Sequence, residues 1–328
     1  MKYPLLRFLS LLLASLALPV TAADLRVYTY SSFVSEWGPG PLLQKTFEQR
    51  CDCSIEFVSS EDGVSLLNRL RIEGSNTRAD LILGLDDALI EVAHREQLVQ
   101  PHGLALPPLK PELDWHDKAF VPFDYGYFAF IYNRESIANP ATSLRQLIAS
   151  DARIIYQDPR TSTPGQGLML WVKAVYGDQS EAAWQQLASH TLTVTKGWWE
   201  AYSLFLQGDA DYVLSYNSSP AYHQVNENID RYQAALFSEG HVAQIEVAAI
   251  SRYSQQPERA RKFLSFLLSP EAQVIIATHN WMLPVTEGIE LPEAFSRLIT
   301  PQRIGFSPTE VADNRQQWIR EWRSAASR

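Results

Sequence analysis

The chain has 328 residues, of which 46% are hydrophobic and 20% are charged, and its formal net charge is −9. This length is typical of about two domains, with ample apolar residues for their cores. The negative charge disfavours nucleic acid and anionic membranes as partners, because both repel an acidic protein.

The first 22 residues predict a secretory signal peptide. Lys2 and Arg7 precede the apolar run FLSLLLASLALPV, and small residues follow it. The run is too short to cross a bilayer comfortably, and no later segment is long and apolar enough to do so. We therefore expect cleavage after Ala22 and export without membrane insertion. The mature chain would have 26 basic and 37 acidic residues, a net charge of −11.

Strands and helices are predicted to alternate after this segment. LRVYTY (25–30), CSIEFVSS (53–60) and the apolar run ADLILGLD (79–86) are typical of strands. Helical periodicity occupies 42–50 and 62–74 between them. This order predicts a parallel sheet with helices on its faces.

Cys51 and Cys53 are the only cysteines and lie at the end of the first predicted helix. Two cysteines are too few for a disulfide framework or for a zinc site made of cysteine alone. They can remain thiols or close a small local ring in an oxidising compartment. A redox or nucleophilic site is disfavoured, because no histidine lies nearby in the sequence.

A second α/β series follows an aromatic extended segment at 120–133, FVPFDYGYFAFIYN. Its predicted strands lie at 153–159, 191–197, 210–219 and 243–251. Its predicted helices lie at 168–177, 180–190, 200–208, 257–279 with a break at Pro270, and 307–326, where Ser307 and Glu310 have capping-box spacing. No flexible linker separates the two series, so we expect two lobes joined by ordered crossovers. Ligands of such sheets bind beyond the C-terminal ends of the strands.

Five segments that follow predicted strands are rich in aromatic, hydroxyl or acidic residues: YTYSSFVSEWGPG, SSEDGVS, DPRTSTPGQG, TKGWWEAY and SYNSSPAYH. Aromatic residues near strand ends usually pack in the core or at its rim, so a site requires that these segments converge on one cleft. Asp62 precedes a helix, where it can be a simple N-cap or a carboxylate that faces a ligand cation. Ser162 and Thr163 also begin a helix, as an ordinary capped loop or as a site for phosphate, carboxylate or hydroxyl groups.

Sequence motifs of known catalytic and metal sites are absent. The chain contains no H-E-x-x-H, G-x-S-x-G or P-loop motif, and no adjacent tyrosine pair that would hold iron. The aromatic content instead favours recognition of a flat, positively charged organic molecule through stacking and cation–π contacts.

The sequence closely resembles the periplasmic thiamine-binding proteins, the substrate-capture components of bacterial ATP-binding-cassette (ABC) importers. The similar segments are VYTYSSFVSEWGPGP, EDGVSLLNRLR, FVPFDYGYFAFIYN, IIYQDPRTSTPG, VLSYNSSPAYH and NWMLPV, and the resemblance covers essentially the whole mature chain. It implies an α/β, two-lobed type II periplasmic binding protein fold with the ligand in the interlobe cleft. It also implies a division into lobe one (24–126 plus 247–281) and lobe two (127–246 plus 282–328).

The resemblance further implies which residues bind the ligand. Carried over by position, the contact residues are Asp62, Gly63, Ser162, Thr163, Trp198, Tyr216, Asn217, Ser218, Ser219 and Tyr222, with Tyr30, Trp37 and Trp281 as further aromatics at the cleft. Two positions depart from the family pattern: Trp199 replaces a small polar residue, and Asn217 replaces a threonine. We expect the ring of Trp198 to stack on the ligand and Trp199 to point into packing or the rim.

The function implied is that of a monomeric periplasmic carrier. It would capture thiamine, and thiamine phosphates as known members do, and deliver the ligand to an inner-membrane ABC permease without enzymatic activity, cofactor or metal. Asp62 is the first candidate to compensate the thiazolium cation. Two alternatives remain: a thiaminase-like enzyme of the same fold with a cysteine nucleophile, and a binding protein for another cation such as polyamine or iron. The cysteines lie outside the candidate cleft loops, which disfavours the enzyme.

Overall fold

The structure is a computed structural model that describes residues 23–326, so the predicted signal peptide lies outside the described residues. The strands in this range are β1 (Leu25–Tyr30), β2 (Ile55–Ser60), β3 (Leu81–Asp86), β4 (Val99–Gln100), β5 (Phe120–Asn133), β6 (Ile154–Gln157), β7 (Thr191–Thr195), β8 (Tyr212–Tyr216), β9 (Tyr232–Ala234), β10 (His241–Ser251), β11 (Leu283–Pro284) and β12 (Arg303–Ile304). The α-helices are α1 (Gly40–Cys51), α2 (Gly63–Glu73), α3 (Ile90–Arg95), α4 (Leu144–Ile148), α5 (Thr163–Tyr176), α6 (Ser180–Ala188), α7 (Trp198–Leu206), α8 (Ser219–Tyr222), α9 (Pro257–Leu267), α10 (Pro270–His279) and α11 (Pro308–Ala326).

One sheet path connects the main strands in the order β2-β1-β3-β10-β5-β8-β6-β7. β2, β1 and β3 are parallel, and so are β8, β6 and β7. β10 and β5 run antiparallel to their neighbours in this path, while β12 pairs with β10 in parallel. Parallel neighbours need crossover connections, and helices supply them here, as the alternation in the sequence predicts.

The two longest strands, β5 and β10, pass through both halves of the molecule. β5 pairs with β10 over Phe120–Tyr127 and with β8 over Phe128–Tyr132. The first hydrophobic core surrounds β1, β3 and the beginning of β5, and the second surrounds the end of β5, α5 and α11. A third, smaller core lies on the opposite face of β8, against α7. We call the elements around the first core the first lobe, and those around the other two cores the second lobe.

The predicted division of the chain differs from this packing at residues 283–285 and at Ile245, which the prediction places in lobe two but which packs in the first core. Tyr125 packs in the first core and Phe128 in the second, so β5 changes lobe between them. β11 pairs with β5 at Tyr125, and Val285 packs in the first core. The sequence assigned everything from residue 282 onward to lobe two, whereas residues 283–285 lie against the first core. The remaining limits of the lobes stay a prediction.

Helix boundaries with a clear local signal are confirmed. Ser307 and Glu310 form the predicted capping box: the Ser307 amide donates to Glu310 Oε2 at 2.9 Å, and the Glu310 amide donates to Ser307 Oγ at 3.3 Å. The break at Pro270 separates α9 from α10. None of the helices within residues 23–326 is long and apolar enough to cross a membrane.

Cys51 and Cys53 are joined by a disulfide bond at the end of α1. Asp52 between them is in the left-handed conformation, with φ of 48°. Neither cysteine is free. The sequence left open whether the two cysteines remain thiols or close a small local ring, and the structure shows the ring.

Candidate functional site

A cavity of about 180 Å³ lies between the lobes. A water molecule occupies roughly 10–15 Å³ of such space, so the cavity admits a small organic molecule. Eight residues predicted from the sequence line it: Tyr30, Trp37, Asp62, Trp198, Tyr216, Ser219, Tyr222 and Trp281. They come from four of the five candidate loops and from the segment after α10. Seven more residues line it that were not predicted as ligand contacts: Ser32, Trp199, Tyr202, Leu206, Glu246, Asn280 and Met282.

Asp62 is both a helix N-cap and a cavity residue. Its Oδ1 accepts a hydrogen bond of 2.7 Å from the Gly63 amide at the start of α2. Its Oδ2 accepts one of 2.7 Å from the hydroxyl of Ser162, which belongs to the second lobe. Burial raises the pKa of Asp62, and these hydrogen bonds oppose the increase. The sequence left open whether Asp62 is a helix N-cap or a carboxylate that faces a ligand, and the two roles are compatible here.

Glu246 forms part of the cavity in the middle of β10. The Tyr30 hydroxyl donates to its Oε2 at 2.7 Å, and Gln244 Nε2 donates to its Oε1 at 2.8 Å. Asn280 extends the network, because its Nδ2 donates to the Tyr30 hydroxyl at 2.9 Å and to Asp124 Oδ2 at 2.7 Å. Glu246 and Asp124 are direct neighbours across the β10–β5 pair. A carboxylate pair thus lies in the two strands that join the lobes.

The ionisable side chains Asp62 and Glu246 that line the cavity are both acidic. Among the described residues, no lysine, arginine or histidine lines the cavity. Burial raises the pKa of Asp124 to about 8. Burial, and then the negative charge of Asp124, hold the pKa of Glu246 well above its ordinary value. Charged carboxylates are costly in such a place unless a cation is near, so the cavity is suited to a cationic ligand.

One wall of the cavity is a stack of aromatic side chains at the start of α7. The ring of Trp198 stacks on Tyr202 with a centroid distance of 5.1 Å and an interplanar angle of 22°. Trp198 Nε1 donates to Ser215 Oγ at 2.7 Å, which fixes the plane of the indole ring. The hydroxyl of Tyr202 lies 2.9 Å from His223 Nε2 on its buried side. These contacts define the position and the plane of the Trp198 ring.

The remaining predicted aromatics are also held by neighbouring side chains. The Tyr216 hydroxyl donates to Gln244 Oε1 at 2.8 Å, which connects it to Glu246. Tyr222 meets the ring of Trp281 edge-on at 5.5 Å. Trp281 has a positive φ of 57° and stacks on Phe295 at 6.1 Å. These contacts place aromatic surface from several loops around one space.

Five predicted contact residues do not line the cavity. They are Gly63, Ser162, Thr163, Asn217 and Ser218. Ser162 is buried and donates to Asp62. Gly63 is closely surrounded, because a Cβ there would lie 2.5 Å from both Gly84 O and Thr163 Oγ1. Asn217 accepts from the Tyr127 amide at 2.9 Å and donates to Ile299 O at 3.0 Å. Ser218 Oγ lies 3.9 Å from Met282 Sδ. Direct contact of these residues with a ligand stays a prediction.

Most of the missed residues gave a weak signal in the sequence. Glu246 is the single acid in the apolar strand AQIEVAAIS, and an unpaired acid in a buried strand is an indication of a site. Tyr202 follows Trp198 by four residues, the spacing that brings side chains together on one helix face. Asn280 and Met282 flank the predicted Trp281.

The described residues include no group of three or more histidine, cysteine, aspartate or glutamate side chains that could hold a metal ion. Cys51 and Cys53 are joined to each other and are not among the residues that line the cavity. The acidic and aromatic lining suits an organic cation, and neither cysteine is a free nucleophile.

Comparisons with known proteins agree with this geometry. Residues 38–274 match the family described as bacterial extracellular solute-binding protein. The chain is 53% identical to the thiamine-binding periplasmic protein of Salmonella typhimurium, over 98% of this chain and 99% of that protein. A solved periplasmic thiamin binding protein superposes with a TM-score of 0.90 at 53% identity, over 93% of this chain and 96% of that one.

A ferric binding protein from Campylobacter jejuni has a TM-score of 0.75 at 18% identity, over 92% of this chain and 99% of that one. At this identity the likeness shows the fold alone. The prediction of an α/β, two-lobed type II periplasmic binding fold is confirmed.

Proposed function

This chain belongs to the bacterial extracellular solute-binding proteins, and we propose that it captures thiamine in the periplasm and delivers it to an ABC-type inner-membrane permease. The observation that carries the proposal is the cavity between the lobes, where aromatic rings surround buried carboxylates and no basic residue from 23–326 lines the wall. Thiamine matches this chemistry, because it joins a positively charged thiazolium ring to a flat aminopyrimidine. The relatives' names point to the same ligand.

The two halves of the ligand would use different parts of the cavity wall. The carboxylates of Glu246 and Asp62 compensate the thiazolium charge, and desolvation inside the cavity strengthens that attraction. Trp198 and the other aromatic side chains offer flat faces to the rings. Binding of this kind needs no covalent step, no cofactor and no metal. Thiamine phosphates are included in the proposal as further ligands.

Capture would be coupled to closure of the two lobes. Asp62 of the first lobe and Ser162 of the second are hydrogen-bonded across the cleft, and the Ser65 hydroxyl donates to Thr161 O at 2.9 Å beside them. A ligand that contacts both lobes favours this closed arrangement. A permease that recognises the closed form would then receive loaded carrier in preference to empty carrier. The carrier is proposed to act as a monomer.

The alternative functions fit the site less well. A thiaminase-like enzyme with a cysteine nucleophile has no cysteine available here, since both form the local disulfide. Polyamines are flexible aliphatic cations without a flat ring to stack on the aromatic wall, and iron prefers anionic oxygen ligands, so both use the wall less fully than thiamine does. The relatives named above are binding proteins.

Isothermal titration of the mature protein with thiamine tests the proposal, with spermidine and ferric citrate titrated in parallel. We expect saturable binding of thiamine alone, with one site per chain. Absence of thiamine binding at micromolar concentration would overturn the proposed ligand. Incubation with thiamine and an amine base, followed by mass spectrometry, tests the enzyme, which would release a pyrimidine adduct.

A further inference from the structure

Two exposed tryptophans from opposite lobes meet at the mouth of the cavity. Trp37 belongs to the first lobe and Trp199 to the second, and their ring centroids are 5.0 Å apart. Trp37 also lies 6.2 Å from Trp198, the ring beneath Trp199 in the wall. We propose that Trp37 and Trp199 form an interlobe aromatic gate that sets how fast a bound ligand leaves. The proposal rests on the function proposed above and adds to it a determinant of ligand release.

The exposure of both rings places them between the cavity and solvent. Trp37 is 42% exposed and Trp199 is 50% exposed, yet both line the cavity. A ring that packs in a core would be buried, and a ring on the outer surface would not line the cavity. The pair therefore covers the opening through which a ligand enters and leaves.

The segment that carries Trp37 is tightly fixed. The Gly38 amide donates to Ser35 O at 3.0 Å, and the Gly40 amide donates to Phe33 O at 2.8 Å. Gly38 cannot be replaced without movement of this turn, because a Cβ there would lie 2.2 Å from Ser32 O. Trp37 thus extends from a rigid turn between β1 and α1, which gives its ring a defined position.

The backbone beside Trp199 lies against the first lobe. A Cβ on Gly197 would lie 2.9 Å from Glu61 Oε1, so the lobes touch two residues before Trp199. Trp199 itself stands in the first turn of α7, next to Trp198, at a ring distance of 6.0 Å. The contact between Trp37 and Trp199 joins two lobes, and separation of the lobes must break it.

A contact that exists only in the closed protein affects release and not entry. Ligand enters the open form, in which the rings are apart, so the association rate does not depend on their contact. Release requires opening, and the aromatic pair opposes it. This gives Trp199 a role in retention beyond the packing or rim position expected from the sequence.

Stopped-flow measurement of thiamine release tests the gate. We expect Trp199→Ala to raise the dissociation rate about tenfold, the effect of losing one aromatic pair, with the association rate within about twofold of wild type. Trp199→Phe keeps a ring and should release thiamine at nearly the wild-type rate. Leu236→Ala is the matched control: Leu236 is 52% exposed, lies in the same lobe and is not among the cavity residues, so both rates should stay unchanged.

A double-mutant cycle shows whether the rings act together. The variant with both Trp37→Ala and Trp199→Ala should release thiamine no more than about twofold faster than the faster single variant, because either change already breaks the contact. Independent, multiplying effects would overturn the gate. So would a Trp199→Ala dissociation rate within twofold of wild type.

Crosslinking tests the gate without any ligand. The variant with Trp37→Cys and Trp199→Cys is treated with a short bis-maleimide, which leaves the native disulfide unreacted. We expect rapid internal crosslinking, and none in the variant with Trp37→Cys and Leu236→Cys. If the first variant does not crosslink, the gate is wrong whether or not thiamine binds. If it crosslinks but wild type fails to bind thiamine, only the proposed function is wrong.

Discussion

Replacing Glu246 with glutamine removes one negative charge from the cavity and changes the side-chain volume little. Glu246 is 6% exposed, and it accepts hydrogen bonds from Tyr30 and Gln244. Loss of one member of a buried charge pair costs about 2–5 kcal/mol of binding free energy. We expect a loss of about 3 kcal/mol for thiamine, which raises its Kd by roughly 150-fold.

The same substitution should stabilise the ligand-free protein. The carboxylate of Glu246 is buried beside Asp124, and both facts hold its pKa well above the ordinary value. The unfolded chain ionises this side chain at pH 7, whereas the folded protein must protonate it or bury its charge, and a glutamine avoids both costs, so we expect the free energy of unfolding to rise by about 2 kcal/mol. A loss of thiamine affinity together with a gain in stability would distinguish the loss of a counter-charge from general damage to the fold.

Isothermal titration at pH 7 gives the affinity, and urea denaturation without ligand gives the stability. Glu258→Gln is the control, because it changes the net charge equally at an exposed side chain outside the cavity. A Glu246→Gln protein that binds thiamine within twofold of wild type would refute the assignment of Glu246 as counter-charge. A fall in both affinity and stability would show that the glutamate is structural.

Four further outcomes are expected. Trp198→Ala should raise the Kd for thiamine about 30-fold through the loss of its stacking face, and titration with an unchanged Kd would exclude Trp198 as a ligand platform. Asp62→Asn keeps an N-cap residue but removes the charge, so the melting temperature should stay nearly constant while the Kd for thiamine rises. A lower melting temperature with an unchanged Kd would show that Asp62 acts only as a helix cap. The pKa of Asp124 is raised from 3.8 to about 8, so the folded protein binds a proton that the unfolded chain lacks, and this stabilisation is lost as the pH rises through about 8. Thermal unfolding of the ligand-free protein should therefore show stability that falls from about pH 4 to about pH 8 and levels off above it, and the same slope in Asp124→Asn would exclude Asp124 as its source. Replacing Cys51 and Cys53 together with serine should cost only about 1.5 kcal/mol, because the bond closes a very short loop, and should leave thiamine affinity unchanged by titration.

The sequence alone determined the order of strands and helices and the loops that follow the strands. These features depend on local patterns: the apolar run of β3, the helical period of α2 and the capping box at Ser307 each act within a few residues. Seven of the eight predicted residues that line the cavity lie at or after the C-terminal ends of parallel strands, which meet at one edge, and the eighth, Trp281, follows α10.

Only the tertiary structure decided which distant side chains meet. Glu246 reaches the cavity because β10 lies between β3 and β5, a neighbour relation that no local pattern encodes. Ser162 donates to Asp62 because the lobes bring the starts of two helices together. Trp199 meets Trp37 across the cleft, although 162 positions separate them in the sequence. Such contacts arise from the packing of whole lobes, and the local preferences of a chain segment do not contain that information.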